Sequence, residues 1–125
     1  SWGMMFRRAS GDGEQLMKKT KKANRIKSVD IGGQRFTVDW IDISKTPEKG
    51  NWGYCAMDDN TIVMEESLLH DRREAASVLS HEMAHAFFEV TGYRHVEGVA
   101  QCEEGIVRAL EYIYAPALMD ALDRL

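Results

Sequence analysis

Cysteine is scarce in this chain: Cys55 and Cys102 are the only two in 125 residues, and neither belongs to a CxxC pair. Two thiols are too few to staple a disulfide scaffold, and their spacing does not suit a zinc-binding role, so both are read as reduced thiols in a reducing compartment. Long apolar runs are missing as well. Nothing approaches the roughly 20 residues of a membrane helix, and the N-terminus lacks the continuous apolar core of a secretion signal. The expectation is a soluble, cytoplasmic protein with no membrane partner. No internal repeat and no low-complexity tract occurs, which excludes solenoid and fibrous architectures.

Basic residues are sparse over most of the length. Residues 28–125 hold eight Lys/Arg against eighteen Asp/Glu, whereas residues 1–27 hold eight against two. An acidic body argues against a broad phosphate-binding surface. The leader Lys18-Lys19-Thr20-Lys21-Lys22 could meet nucleic acid or an acidic partner, but it has no interleaved aromatics and reads first as a solvated arm. Residues 1–24 are accordingly set apart as a basic, partly disordered arm, and residues 25–125 as one domain, since the length suits one core and not two. Nucleic acid is expected as a partner only through that arm.

What the chain does contain is an ordered succession of patterns. Val29, Ile31, Phe36, Val38 and Trp40 form short β-type runs broken by Gly32-Gly33, a hairpin signature. After a loop at Pro47-Glu48-Lys49-Gly50, two more runs, Trp52 to Met57 and Thr61 to Met64, flank the turn composition Asp58-Asp59-Asn60. Asp71-Arg72-Arg73-Glu74 has the form of a capping box, opening a helix that runs to about Thr91 and stops at Gly92. A second helix is predicted from about Val99 to Ala115, with Pro116 permitting a kink or break. The fold class is α+β: a short, three- or four-stranded, mainly antiparallel sheet followed by two helices.

The first helix carries His81-Glu82-Met83-Ala84-His85, an HExxH motif in an apolar setting. Two histidines four residues apart on a helix point the same way and can share one metal ion, with the glutamate placed to handle the metal's water. The apolar flanks, Ala75 to Leu79 and Ala84 to Phe88, would draw all three polar side chains out of water together, which is costly unless a metal satisfies two of them. A catalytic zinc takes three protein ligands and leaves a fourth position open. Candidates for the third are His95, Glu97, Glu103 and Glu104. A metzincin would need Gly and His where Phe88 and Thr91 stand, so that class is excluded. Helical arithmetic does not separate Glu103 from Glu104; eighteen intervening residues from His85, and Gly105 as a point of close helix approach, favour Glu104.

HExxH-x18-E resembles the gluzincin pattern, and the arrangement from about residue 25 onward is similar to ImmA/IrrE-type and phage-encoded small zincins. Glu104-Gly105-Ile106 resembles the third-ligand segment of larger gluzincin aminopeptidases, in which Asn stands where this chain has Glu103. The resemblance implies a zincin-like fold, Zn²⁺ held by His81, His85 and Glu104, and Glu82 as general base. It implies a metallopeptidase acting on one or a few protein or peptide partners. Rival expectations are a zinc-stabilised binding module without activity and a protease recruited to nucleic acid by the basic arm.

Further roles follow from position alone. Glu111 could orient a histidine's second nitrogen or pair with Arg108. Tyr93, His95, Tyr112 and Tyr114 are candidate oxyanion donors, more simply read as packing or surface residues. Both cysteines are expected to be small buried residues, and Met57, Met64 and Met83 to fill core gaps. Thr61-Ile62-Val63-Met64 could supply the edge on which an extended peptide pairs, or be an ordinary core strand.

Overall fold

The computed structural model describes residues 21–125, so most of the basic arm over residues 1–24 lies outside the described residues. Where the description starts, the chain is already attached: Arg72 N–H donates to the Lys21 carbonyl at 2.7 Å and Ala23 N–H to that of Leu69 at 2.8 Å. Ala23 also packs against the core.

Strands β1 (Ser28–Ile31) and β2 (Gln34–Ile41) form the expected hairpin, with Ile31 facing Gln34. Its two turn residues, Gly32 and Gly33, have φ of 59° and 82°, a left-handed pair that matches the twist of the flanking strands and that side chains resist. In β2, buried Phe36 and Val38 alternate with exposed Arg35, Thr37 and Asp39, the signature of a strand with one buried face. Strand β3 (Gly53–Ala56) pairs antiparallel with β4 (Thr61–Glu65) across a tight turn ending at left-handed Asn60.

The sheet order is β1-β2-β4-β3, with β2 and β4 parallel. Two of its three pairings are antiparallel, so the mainly antiparallel expectation stands, and the parallel pair is the part that short-range turn signals cannot reveal. Of the two readings of Thr61 to Met64, the core strand is the one found, and the edge reading is corrected. That strand lies between β2 and β3, and Ile62, Val63 and Met64 are buried in succession, as befits an interior strand covered on both faces. The outer edge on that side belongs to β3.

Helix α1 (Arg72–Thr91) is capped as expected: the Asp71 carboxylate accepts from the backbone N–H of Arg73 and Glu74, and Gly92 closes the C-terminus at φ 75°. Ala75, Val78 and Ala86 pack with Phe36, Val38, Ile62 and Met64 to form the main core. Ala84 and Phe88 turn the other way and meet Val107, with Val99 and Leu110 at the margin of this second, smaller cluster. Met57 and Met83 pack against the main core, as do Trp40 and Trp52.

The second helical stretch begins later than expected, at Glu103, because Val99 to Cys102 form a turn. Helix α2 (Glu103–Ala109) runs without interruption into a π-helical turn (Leu110–Tyr114) and then into helix α3 (Ala115–Arg124). Pro116 therefore neither breaks nor ends the helix. Its ring opposes the carbonyl four residues earlier, and that carbonyl lies in the widened turn, where there is room for it. Asp123 of α3 receives Arg72 and Arg73 at 3.5 and 2.6 Å, tying the far end of the chain to the start of α1. Among the described residues no helix is long and apolar enough to cross a membrane.

Candidate metal centre

His81, Glu82 and His85 lie in the middle of α1, on the stretch that faces both the sheet and α2. The histidines point towards α2, with ring centroids 4.9 Å apart, and their Nε2 atoms approach to 3.2 Å. Glu104, in the first turn of α2, brings one carboxylate oxygen to 3.1 Å from His85 Nε2 and the other to 3.7 Å from His81 Nε2. One ligand atom from each of the three residues falls within 4.8 Å of the others, and this is the one such convergent group found among the described residues.

The far side of each imidazole is held by a carboxylate. His81 Nδ1 lies 2.8 Å from Glu111 Oε1, and His85 Nδ1 lies 2.7 Å from Glu103 Oε2. An ionised carboxylate only accepts, so each Nδ1 carries the proton and donates it, and in the neutral ring each Nε2 keeps its lone pair. Two such lone pairs then face each other at 3.2 Å beside a third acceptor, Glu104. That arrangement is repulsive by itself and attractive around a cation. It also has the dimensions of one: Zn–N bonds of about 2.0–2.1 Å in a tetrahedron separate two nitrogens by about 3.3–3.4 Å. Charge points the same way: Glu82, Glu103, Glu104 and Glu111 gather at this cluster, with Arg94 on Glu103 and Arg108 on Glu104, and a divalent ion would offset carboxylate charge gathered there.

Of the four third-ligand candidates, Glu104 is the one brought to the histidine nitrogens. Glu103 stands behind His85, and His95 and Glu97 are exposed in the connecting segment. The part expected of Gly105 is corrected: it is exposed, a Cβ there would meet nothing within 4 Å, and it makes no close helix approach. Glu111 is 3% exposed and bonded to His81, so of its two expected roles the structure displays the orienting one. Arg108 pairs with Glu104 at 3.2 Å.

Glu82 faces the sheet side of the cluster and is buried. Burial pushes its carboxyl up to about 7; His85 and the Cys55 thiol pull it down, and Glu104 adds to the rise. Strand β3 sets its surroundings. Cys55 Sγ donates to the Glu82 carbonyl at 3.2 Å and reaches Oε1 at 3.6 Å, and burial, with Glu82 beside it, keeps that thiol protonated. Gly53 leaves the space that the Glu82 side chain passes through: a Cβ there would lie 3.2 Å from Glu82 Cγ, 3.0 Å from Val78 Cγ1 and 3.1 Å from the Val63 carbonyl. Cys102, expected to be buried, is exposed at the turn before α2.

Sequence reasoning missed Arg94. Its guanidinium, in the turn after α1, binds both oxygens of Glu103 at 3.3 and 2.9 Å, Glu89 at 2.8 Å and the His85 carbonyl at 3.4 Å. Burial would raise the Glu103 carboxyl, but Arg94 and His85 outweigh it and hold it below its ordinary value. No short-range pattern marks such a residue, since an arginine in a polar turn is ordinarily solvated. Of the oxyanion candidates, Tyr93 is exposed and meets Phe87 edge to face, with ring centroids 5.9 Å apart, and Tyr114 is exposed.

Residues 15–98 match the SprT-like family, which is related to zincin-like metallopeptidases. The matched span includes the HExxH helix and stops before Glu103, Glu104 and Glu111. No curated protein and no solved structure matches the chain.

Proposed function

The chain belongs to the SprT-like family, and from that premise we propose that it is a zinc-dependent peptidase in which His81, His85 and Glu104 hold the metal and Glu82 is the general base. The observation that carries this reading is the pair of Nε2 lone pairs converging on Glu104 while each Nδ1 is fixed from behind by a carboxylate. Three convergent protein ligands, among the described residues, favour a catalytic site with an open position over a structural site closed by four. Bound there, zinc would acidify a water and polarise a peptide carbonyl.

The remaining chemistry belongs to this chain's own groups. Glu82 takes the proton of the attacking water and returns it to the leaving amine, a sequence that one carboxylate beside the reacting atoms can perform. Cys55 and Gly53 keep that carboxylate against β3. Among the described residues β3 is the outer strand on the Glu82 side, and an extended peptide added there as a fifth strand would run past the base. A domain this small offers limited substrate-binding surface, which suits one or a few protein partners better than general digestion. The likeness to ImmA/IrrE-type and phage-encoded small zincins, a likeness of motif spacing, agrees with so narrow a role.

The test is zinc content and peptide cleavage of wild type beside Glu82→Gln and His85→Ala. Glu82→Gln is expected to keep zinc and lose at least about a hundredfold in hydrolysis, while His85→Ala loses both. Wild type prepared without chelator and found free of zinc would sink the metal assignment, and full activity in Glu82→Gln would remove the base.

A further inference from the structure

The anchoring of His85 continues beyond Glu103. Arg94 meets Glu103 with two nitrogens, one on each carboxylate oxygen, in the forked geometry that guanidinium and carboxylate share. The same Glu103 Oε2 that accepts from Arg94 Nη2 at 2.9 Å accepts from His85 Nδ1 at 2.7 Å. The guanidinium is further held by Glu89 at 2.8 Å and by the His85 carbonyl at 3.4 Å. One side chain thus joins the last turns of α1 to the first residue of α2. Its partner Glu103 is only 13% exposed, so water competes little for the carboxylate. Its counterpart at His81, Glu111, is 3% exposed in the π turn.

We infer that Arg94 is a positioning residue for the metal site: by holding Glu103 in one orientation, it fixes the ring of His85 and keeps Nε2 directed at the metal. The inference rests on the zinc-site reading above. It separates Arg94 from an ordinary surface ion pair, whose removal costs little and changes no ligand geometry. Because the action passes through Glu103, it must disappear when Glu103 can no longer transmit it.

The measurement is zinc affinity by competition with a chromophoric chelator, for wild type, Arg94→Ala, Glu103→Gln and the double variant, alongside the absorption spectrum of the cobalt-substituted proteins. Outer partners of metal-bound histidines typically contribute about 10- to 100-fold in affinity. Arg94→Ala is expected to weaken zinc about tenfold and alter the cobalt spectrum, and to add less than about twofold in the Glu103→Gln background. Arg94→Lys, which keeps the charge and loses the fork, should fall between. An unchanged affinity in Arg94→Ala, or an equal loss with and without Glu103, overturns the inference while leaving the zinc site intact. Wild type that binds no zinc overturns both, and His85→Ala in the same titration tells these outcomes apart. Should Arg94→Ala fail to fold, Arg94→Lys in the two backgrounds decides the same question through its smaller effect.

Discussion

Neighbouring glutamates take opposite sides of His85: Glu104 meets Nε2 and Glu103 meets Nδ1. About 100° of helical rotation per residue is enough to place one carboxylate among the ligands and the other behind the ring. Their substitutions should therefore differ in kind. Glu104→Ala is expected to abolish tight zinc binding, whereas Glu103→Gln and Glu111→Gln should retain zinc with affinity reduced about 10- to 100-fold. Chelator competition on the three variants checks this; equal losses at 103 and 104 would contradict it. Glu82, His81 and His85 were legible because a motif of fixed spacing sits inside one helix. Glu104 was legible from its distance to His85. The role of Glu103 was not, because it depends on Arg94 folding back from the turn after α1, an event that no local pattern records.

Between elements, the closest approach that matters is β3 against α1 at Gly53. Its missing side chain leaves room for Glu82 Cγ and Val78 Cγ1, and the third neighbour, the Val63 carbonyl, is backbone in the adjoining strand and yields little. Gly53→Ala should push α1 away by a few tenths of an ångström and shift the base, which faces β3, more than the histidines, which face α2. The expected outcome is roughly a tenfold fall in kcat with near-normal zinc content, since an ångström of misplacement can cost about a hundredfold. Steady-state kinetics with metal analysis decides it. At the start of α1, Asp71→Ala removes the cap on two backbone donors and should cost about 1 kcal/mol in chemical denaturation. Capping residues, hairpin glycines and alternating strands were all readable, since each acts within a few residues. The place of β4 inside the sheet agrees with its unbroken Ile62-Val63-Met64 run, a signal present in the sequence but too short to separate an interior strand from an edge. The π turn and the late start of α2 answer to tertiary packing and to Pro116 acting across several residues.

Helix α1 is the shared wall of the whole molecule, with the sheet and its large core on one side and the small Ala84, Phe88, Val107 cluster on the other. The second side has few apolar contacts, so the metal site is expected to supply much of what holds α2 in place. Saturating zinc at about a hundred times its Kd would add about 2.7 kcal/mol, and stripping it should lower the unfolding midpoint by roughly 10 °C. Hydrogen exchange should locate the loss. With chelator, amides of residues 103–124 exchange faster, while those of β1, β2 and β4 hold; uniform acceleration across the sheet would refute this division. The α+β class and the ordering of strands before helices were legible at this scale, whereas the partition into two cores was not, because it depends on which face of α1 each helix covers.

The π turn at Leu110–Tyr114 also sets the phase of everything that follows it. Five residues wound wide lag a regular helix by about one residue, close to 100° of rotation. Removing one residue between Leu110 and Tyr114 would restore an even winding and leave Glu104 where it is. Because the residue removed matches the lag recovered, Asp123 would keep its place beside Arg72 and Arg73, so that the tail of the chain stays in phase through the deletion.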